Sequence, residues 1–293
     1  MSRVHDALKR AEQGGMIAPS FPAPAGPDAS LRRSSTIADA GIPADLASQL
    51  NGLLDRVQEV PFNPAPEAHL IDAARPHEPP TEEFRTLRTR LNHLQSLQPI
   101  HSVVVTSPSP AEGKSLAAVN LALVQSHLAG NNTLLCDFDF RRPIVHNLFQ
   151  LERTPGITDY LLGKARLEEV IKKIAGTNLY VMPAGEAVIN PLELLNLREV
   201  KQMIDALPKV FNWMVLDSPP LLFAADANLL STMSDGTILV VRIGLTTVDS
   251  VTRAMQSLCE NNVLGIIANG ARRGELYSKY TYYHSYYYSK PEA

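Results

Sequence analysis

A short loop near the middle of the chain has the residue types that bind phosphate. Residues 107–115, Ser-Pro-Ser-Pro-Ala-Glu-Gly-Lys-Ser, follow an apolar β-type run and precede an Ala/Leu/Val-rich helical pattern. In such a loop the backbone N–H groups surround the phosphates, Lys114 contacts the β and γ oxygens, and the Ser115 hydroxyl contacts Mg²⁺. Pro108 replaces the first glycine of the usual pattern, so the prediction depends on the strand–loop–helix context. The predicted nucleotide-binding residues are Ser109, Pro110, Ala111, Glu112, Gly113, Lys114, Ser115 and Leu116.

Three aspartates stand at the ends of later apolar runs. Asp137 and Asp139 end one run two residues apart, so both are expected on the same side of the chain. Asp217 ends another run in the position that a Walker B carboxylate usually takes. The carboxyl ends of parallel strands line the ligand crevice of an open sheet. Together with the loop, the three acids predict a site for a nucleotide with Mg²⁺.

The C-terminal tail carries a dense group of hydroxyl side chains. Seven of the nine tyrosines lie in the last 17 residues, without a period-2 or period-3.6 apolar pattern. They cannot all be buried in one core, so their hydroxyls are available as phosphoryl acceptors. An adhesive or disordered aromatic terminus is the alternative. The seven are Tyr277, Tyr280, Tyr282, Tyr283, Tyr286, Tyr287 and Tyr288.

Composition excludes several other classes of protein. The formal net charge is −3, without the basic excess that nucleic-acid binding favours. The apolar stretches are shorter than the ~18–20 residues of a membrane span, and the start lacks a signal-peptide core, which predicts a cytoplasmic protein. Cys136 and Cys259 are predicted to be reduced, partly buried structural thiols.

The N-terminal part differs in composition from the rest. Residues 1–13 have a short amphipathic helical pattern. Eleven of the 22 prolines then fall in residues 19–80, which predicts that residues 14–80 form a largely disordered linker. An amphipathic stretch at Leu46 to Val57 interrupts it, and it is either a helix that folds back on the domain or a partner motif.

Residues 81–270 are predicted to form the globular domain. A helix begins there with Thr81 as N-cap and a leucine stripe on one side. Apolar β-type runs and helical patterns then alternate, which predicts an α/β fold with a mostly parallel sheet covered by helices on both faces. With the phosphate loop, this is a fold of the P-loop NTPase type, followed by a flexible tyrosine-rich tail at residues 271–293. The predicted helices start at residue 114 and lie near 167–174, 192–206 and 248–260; the strands lie near 101–106, 133–136, 179–182, 213–216, 237–241 and 263–268.

From Thr81 to the end the sequence resembles the bacterial tyrosine kinases of capsule and exopolysaccharide synthesis. The shared features, in order, are a Glu-x-x-Arg-x-x-Arg helix, the Walker A loop, a paired-aspartate Walker A′ motif at Asp137 to Arg141, Walker B at Asp217 and the tyrosine tail. The start of the chain also looks like that of soluble members. Departures from the family pattern are Pro108, Arg90 and Leu116.

The resemblance implies transfer of the ATP γ-phosphoryl to a tyrosine hydroxyl. Ser115, Asp139 and Asp217 would then hold Mg²⁺ directly or through water. Asp137 would accept or orient the tyrosine proton, although Asp137 and Asp139 can exchange roles. Arg141 would steady the aspartates or the phosphates, or form a salt bridge.

The same resemblance implies an assembly and partners. Glu82, Arg85 and Arg88 lie three apart on the charged side of the first helix, where they form either a subunit interface or a surface salt-bridge ladder. The implied assembly is a ring-like homo-oligomer that phosphorylates its tails in trans. Implied partners are a membrane polysaccharide chain-length or export protein, which activates the kinase and recruits it to the inner face of the membrane, and a tyrosine phosphatase.

Two other functions fit the loop and the fold. One is an ATPase switch like ParA or MinD, which has a signature lysine at the position held here by Ser109. The other is a non-catalytic, nucleotide-binding adaptor of a polysaccharide machine. The tyrosine tail favours the kinase over both.

Overall fold

A computed structural model of the protein describes residues 42–65, 68–71, 80–258 and 263–271. The predicted helix of residues 1–13, Cys259 and the tyrosine tail lie outside these residues. The strands are β1 (Gln58–Val60), β2 (Ser102–Thr106), β3 (Thr133–Asp137), β4 (Lys172–Ile174), β5 (Leu179–Met182), β6 (Trp213–Asp217), β7 (Gly236–Arg242) and β8 (Val263–Asn269). The helices are α1 (Ala44–Leu50), α2 (Leu53–Arg56), α3 (Thr81–Leu97), α4 (Lys114–Ser126), α5 (Val145–Leu148), α6 (Ile157–Leu161), α7 (Leu167–Val170), α8 (Pro191–Leu195), α9 (Arg198–Ala206), α10 (Ala225–Met233) and α11 (Val248–Ser257), with a 3₁₀ turn at Leu207–Lys209.

The eight described strands form one sheet. Their order is β1-β4-β5-β3-β6-β2-β7-β8. All neighbouring pairs are parallel except β4 and β5, which are antiparallel. The mostly parallel α/β sheet predicted from the alternating pattern is therefore confirmed. Parallel order places the carboxyl ends of β2, β3 and β6 at one edge of the sheet, next to each other.

The phosphate loop leaves the sheet from its buried centre. All five residues of β2, Ser-Val-Val-Val-Thr, are buried, and four of them are β-branched, as expected in a strand covered on both faces. Helix α4 follows the loop and is buried along most of its length. Helix α3 packs on α4. The loop is thus held between β2 and α4, which are both buried.

The predicted disordered linker is wrong for the part that the structure describes. Leu46, Leu50 and Leu53 are buried, and α1 and α2 pack on α7. Strand β1 pairs in parallel with β4 at the sheet edge, and Phe62 packs against the main core. A leucine stripe at helical spacing buries enough apolar surface to order this stretch within a proline-rich segment. Leu46 to Val57 therefore folds back on the domain, the first of the two alternatives.

Truncating Leu53 tests this packing. Its side chain is 1% exposed, so Leu53→Ala should lower the free energy of unfolding by about 2–5 kcal/mol, because it removes buried methyl groups and leaves a cavity. Asp55→Ala, at an exposed position of the same helix, should change it by less than about 0.5 kcal/mol. Denaturant unfolding of both variants measures the difference. Equal, small losses would show that α1 and α2 do not contribute to the fold.

Three helix predictions need correction. Thr81 is the first helical residue and not the N-cap, which is Pro80, and no side chain caps this end. The helix predicted near 167–174 stops at Val170, because residues 172–174 pair between β1 and β5 as β4. The helix predicted near 192–206 is two helices, α8 and α9, separated at residues 196–197. Tertiary pairing overrides the local helical pattern at β4.

In the described stretches no helix is both long and apolar enough to cross a bilayer. Cys136 is a free, buried thiol in β3, and burial raises its pKa above the ordinary value. A buried neutral thiol of this kind is a small apolar side chain in the core, as predicted.

Candidate active site

The loop between β2 and α4 has the backbone shape of a phosphate-binding loop. Ala111 and Gly113 have positive φ angles of 63° and 94°. Lys114 is the first residue of α4 and Gly113 is its N-cap, so the positive end of the helix dipole faces the loop. Free N–H groups at a helix N-terminus are a ready site for phosphate.

A buried glutamate ties the loop to itself and to its neighbour. Glu112 is 1% exposed. Its carboxylate accepts a hydrogen bond from the Ser109 N–H at 2.9 Å and another from the Thr246 hydroxyl. Thr246 lies in the segment after β7, so this contact couples the loop to the adjacent strand.

Two more side chains at the ends of β7 and β8 hold the loop. Asn269 donates from its amide to the Glu112 carbonyl at 2.9 Å, and Arg242 donates to the Ala111 carbonyl at 3.0 Å. Sequence reasoning missed Arg242, Thr246 and Asn269. The signal that could have found them is their position at or just after the carboxyl ends of β7 and β8, the two strands on one side of β2.

A methyl group at Gly113 should disrupt this arrangement. A Cβ there would lie 2.0 Å from the Asn269 Nδ2 atom, so Asn269 would have to leave the Glu112 carbonyl. Gly113→Ala should weaken ADP binding about tenfold, the equivalent of one lost hydrogen bond. Gly130 also has a positive φ, of 70°, but its Cβ would meet nothing within 4 Å. Gly130→Ala should therefore leave ADP affinity unchanged, which calorimetric titration can check; equal losses in both variants would contradict the steric argument.

The Lys114 ammonium lies among the predicted acids. Its Nζ is 2.8 Å from Asp139 Oδ2, 3.1 Å from Ser115 Oγ and 3.9 Å from Asp217 Oδ1. Burial alone would lower the pKa of Lys114, but the charges of Asp217 and Asp139 outweigh it, and the pKa is raised. The lysine is therefore a fixed positive charge at the mouth of the loop.

Asp217 is a buried carboxylate with only weak hydrogen-bond donors around it. The residue is fully buried, and neither side-chain oxygen accepts a well-formed hydrogen bond. The Ser115 hydroxyl and the Ser218 N–H interact with it weakly, and the Lys114 ammonium lies 3.9 Å away. Burial raises the pKa of Asp217 to about 6. An unsatisfied buried carboxylate is rare and is completed by a bound cation or by a proton. The donor set around it, Asp139 and the Ser115 hydroxyl, consists of the hard oxygen ligands that Mg²⁺ prefers.

Asp137 lies beneath the loop that follows β3. It is paired in register with Asp217 on the neighbouring strand and is fully buried. Its two oxygens accept hydrogen bonds from the Asp139 N–H at 3.2 Å and the Val145 N–H at 3.1 Å. Burial and the charge of Asp217 raise the pKa of Asp137 well above its ordinary value. Among the described residues, no three His, Cys, Asp or Glu side chains are grouped so that they could hold a metal ion.

Arg141 and the charged residues of α3 make other contacts. The Arg141 guanidinium forms two hydrogen bonds with Asp226, at 2.8 and 3.1 Å, so it forms the salt bridge that was one of its predicted roles. Glu82 and Arg85 pair with each other at 2.5 Å, and Arg88 donates to the Val124 carbonyl in α4 at 2.8 Å.

Of the predicted site residues, the structure brings together the loop, Lys114 and the three aspartates.

Comparisons with individual proteins place the chain in a family, although no family model matches it. The tyrosine-protein kinase YwqD of Bacillus subtilis is 34% identical over 219 residues, which cover 74% of this chain and 92% of YwqD. Tyrosine-protein kinase etk of Escherichia coli K12 is 30% identical over 217 residues, but these cover 73% of this chain and only 29% of that longer protein. The solved kinase domain of Escherichia coli tyrosine kinase ETK superposes with a TM-score of 0.65 at 30% identity, covering 68% of this chain and 78% of that one.

The fold and the site define a P-loop nucleotide-binding protein with aspartates at the carboxyl edge of its sheet. The chain belongs to the bacterial tyrosine-protein kinases, and it is an enzyme of that kind. The ATPase switch and the adaptor are not favoured. The predicted fold and family are confirmed, while the roles of individual site residues stay predictions.

Proposed function

We propose that this kinase transfers the ATP γ-phosphoryl to the tyrosines of its own C-terminal tail. The bond from the γ phosphorus to the bridging oxygen of ADP breaks, a bond to the tyrosine oxygen forms, and the phenolic proton passes to an aspartate. The observation that supports this best is the Lys114 Nζ atom, held 2.8 Å from Asp139 and 3.9 Å from Asp217 at the end of the loop. Phosphoryl transfer requires this positioning of charge more than it requires covalent chemistry by the protein.

The loop and Lys114 bind the phosphates in this proposal. Residues Ser109 to Leu116 present backbone N–H groups, and Lys114 meets the charge on the β and γ oxygens. Ser115, Asp139 and Asp217 would hold Mg²⁺ together with phosphate oxygens. Bound Mg²⁺ neutralises charge on the phosphates and orients them. The unsatisfied Asp217 oxygens support this assignment.

Asp137 is the proposed proton acceptor, and Asp139 is the second candidate. Burial and the charge of Asp217 raise the pKa of Asp137, which makes its carboxylate a stronger base. Because Asp137 is fully buried, this role requires the loop after β3 to open toward the hydroxyl, whereas Asp139 is slightly exposed. Single-turnover rates of Asp137→Asn and Asp139→Asn against pH separate the two. The proton acceptor is the one whose replacement removes the acidic limb of the profile.

Mass spectrometry of the full chain tests the proposal as a whole. After incubation with Mg²⁺ and ATP, we expect several added phosphates that map to residues 277–288. A variant with all seven tail tyrosines replaced by phenylalanine keeps the active site and should gain none. Hydrolysis of ATP to ADP without phosphate added to the protein would overturn the proposal in favour of an ATPase.

The assembly is proposed to be a ring-like homo-oligomer in which one subunit's tail enters its neighbour's site. Glu82, Arg85 and Arg88 would contribute to the interface. Each phosphate adds about 1.5–2 negative charges at pH 7, which oppose docking in an acidic site. We therefore expect the oligomer to dissociate after complete autophosphorylation, so that the mass of the assembly falls. An unchanged mass in native mass spectrometry would refute this link.

The cellular role is proposed to be control of capsular or exopolysaccharide synthesis or export. The partners would be a membrane chain-length or export protein, whose cytosolic segment activates the kinase at the inner face of the membrane, and a tyrosine phosphatase. Adding such a segment to the purified kinase should raise the autophosphorylation rate. Full activity without any addition would show that the activator is not required.

A further inference from the structure

Arg141 sits beside the catalytic acids but is bound elsewhere. It follows Asp139 by two residues in the loop after β3. Phe138 and Phe140, on either side of Asp139, are buried and pack against each other with ring centres 5.7 Å apart. This anchors the loop and leaves Asp139 and Arg141 close together. Arg141 keeps 46% of its side chain exposed.

The partner of Arg141 is a buried carboxylate on another element. Asp226 is 1% exposed and lies in the first turn of α10, where the helix dipole favours a negative charge. It accepts from the Arg141 Nε at 2.8 Å and from Nη2 at 3.1 Å. A bidentate pair of this kind fixes the position of a guanidinium better than a single contact does. No motif of the sequence pointed to Asp226.

Asp139 is the other acid whose charge acts on Arg141. The hydrogen bond with Asp226 is the largest cause that raises the pKa of Arg141, and the charge of Asp139 adds a smaller contribution. Asp139 already accepts from Lys114 and from the Arg142 N–H at 3.1 Å. A third donor at Asp139 would compete with Lys114 and with any cation.

We propose that Asp226 is a positioning residue of the nucleotide site. It keeps the Arg141 guanidinium away from Asp139, so that Asp139 stays available to Lys114 and to bound Mg²⁺. This inference rests on the proposed function, because it assumes that the carboxylates hold Mg²⁺ with the nucleotide.

The test is a Mg²⁺ titration of the binding of a fluorescent ADP analogue to the full chain. In Asp226→Asn, the Mg²⁺ concentration for half-maximal binding should rise about tenfold, as for other residues that orient metal ligands. In the double variant Asp226→Asn with Arg141→Gln it should return most of the way to the wild-type value, because the competing charge is gone. A purely structural role would lower the unfolding temperature and leave the Mg²⁺ midpoint unchanged.

Two results would overturn the proposal. One is a Mg²⁺ midpoint that does not move in Asp226→Asn, and the other is a double variant as impaired as the single one. If Asp226→Asn does not fold, Arg141→Gln alone decides: the midpoint should not rise, and a tenfold rise would show that Arg141 assists the metal directly. If the wild-type protein binds the ADP analogue equally well with and without Mg²⁺, the proposed metal site itself is refuted. That result differs from the two that overturn the role of Asp226.

Discussion

Replacing Lys114 with methionine should lower tyrosine phosphorylation roughly 10³-fold, because a preorganised charge on the transferring phosphate is worth that much. The Lys114 side chain is 12% exposed, and its ammonium group pairs with Asp139 and Asp217. Methionine has a similar length but no charge, so the phosphate oxygens lose their fixed partner. Intact mass after incubation with Mg²⁺ and ATP measures the loss.

Two controls separate lost chemistry from lost folding. Lys114→Met leaves buried carboxylates without their cation, so its unfolding temperature should also fall. Lys114→Arg keeps the positive charge, so this variant should stay folded. Its planar guanidinium cannot reproduce the compact contact of an ammonium, so its tyrosine phosphorylation should still be reduced. Lys164→Met removes an exposed lysine that pairs with Glu186 on the surface, and its activity should equal that of the wild type. Wild-type phosphorylation in Lys114→Met would overturn the assignment of the site.

Asp217→Asn should have opposite effects on stability and on activity. The folded-state pKa of Asp217 is about 6, above the ~3.9 of an unfolded aspartate. Between these values the folded protein binds more protons than the unfolded one, so wild-type stability falls as pH rises from about 4 to 6. Above that window the buried charge costs about 3 kcal/mol, which asparagine removes.

The expected result without metal is therefore a variant more stable than the wild type at pH 8, with a smaller difference at pH 5. With Mg²⁺ and ATP, phosphorylation should fall about 10²-fold, because the metal loses a carboxylate. Thermal unfolding in EDTA at both pH values and phosphate incorporation at pH 8 are the measurements. Asp205→Asn, at an exposed helix position, should show neither effect. A stability difference independent of pH would contradict the titration of Asp217.

Much of the site could be predicted because its motifs are contiguous. The residues of the phosphate loop and Asp137 with Asp139 are neighbours in the chain, and their spacing with flanking apolar runs defines strand, loop and helix. Asp217 was found by the same rule at the end of β6. The register of Asp137 beside Asp217 follows once parallel strands lie side by side.

Two of the misplaced elements, the linker helices and β4, share one cause. Average composition over residues 14–80 hid the leucines of α1 and α2, whose stabilising contact is with α7, more than a hundred residues later. Residues 172–174 look helical alone but become β4, because β1 and β5 lie on either side of them. Propensity is weak where a distant partner offers a hydrogen-bonding edge.

Local spacing and the period of apolar residues are sufficient to identify the phosphate loop, the three aspartates and the α/β class. The positions of β6 and β7 on either side of β2, the contacts of Thr246 and Asn269 with the loop, and the pairing of Arg141 with Asp226 depend on tertiary packing. Those contacts join residues between 85 and 157 positions apart. No local pattern encodes such pairs, because their distance is set by the order in which the strands pack and not by their separation along the chain.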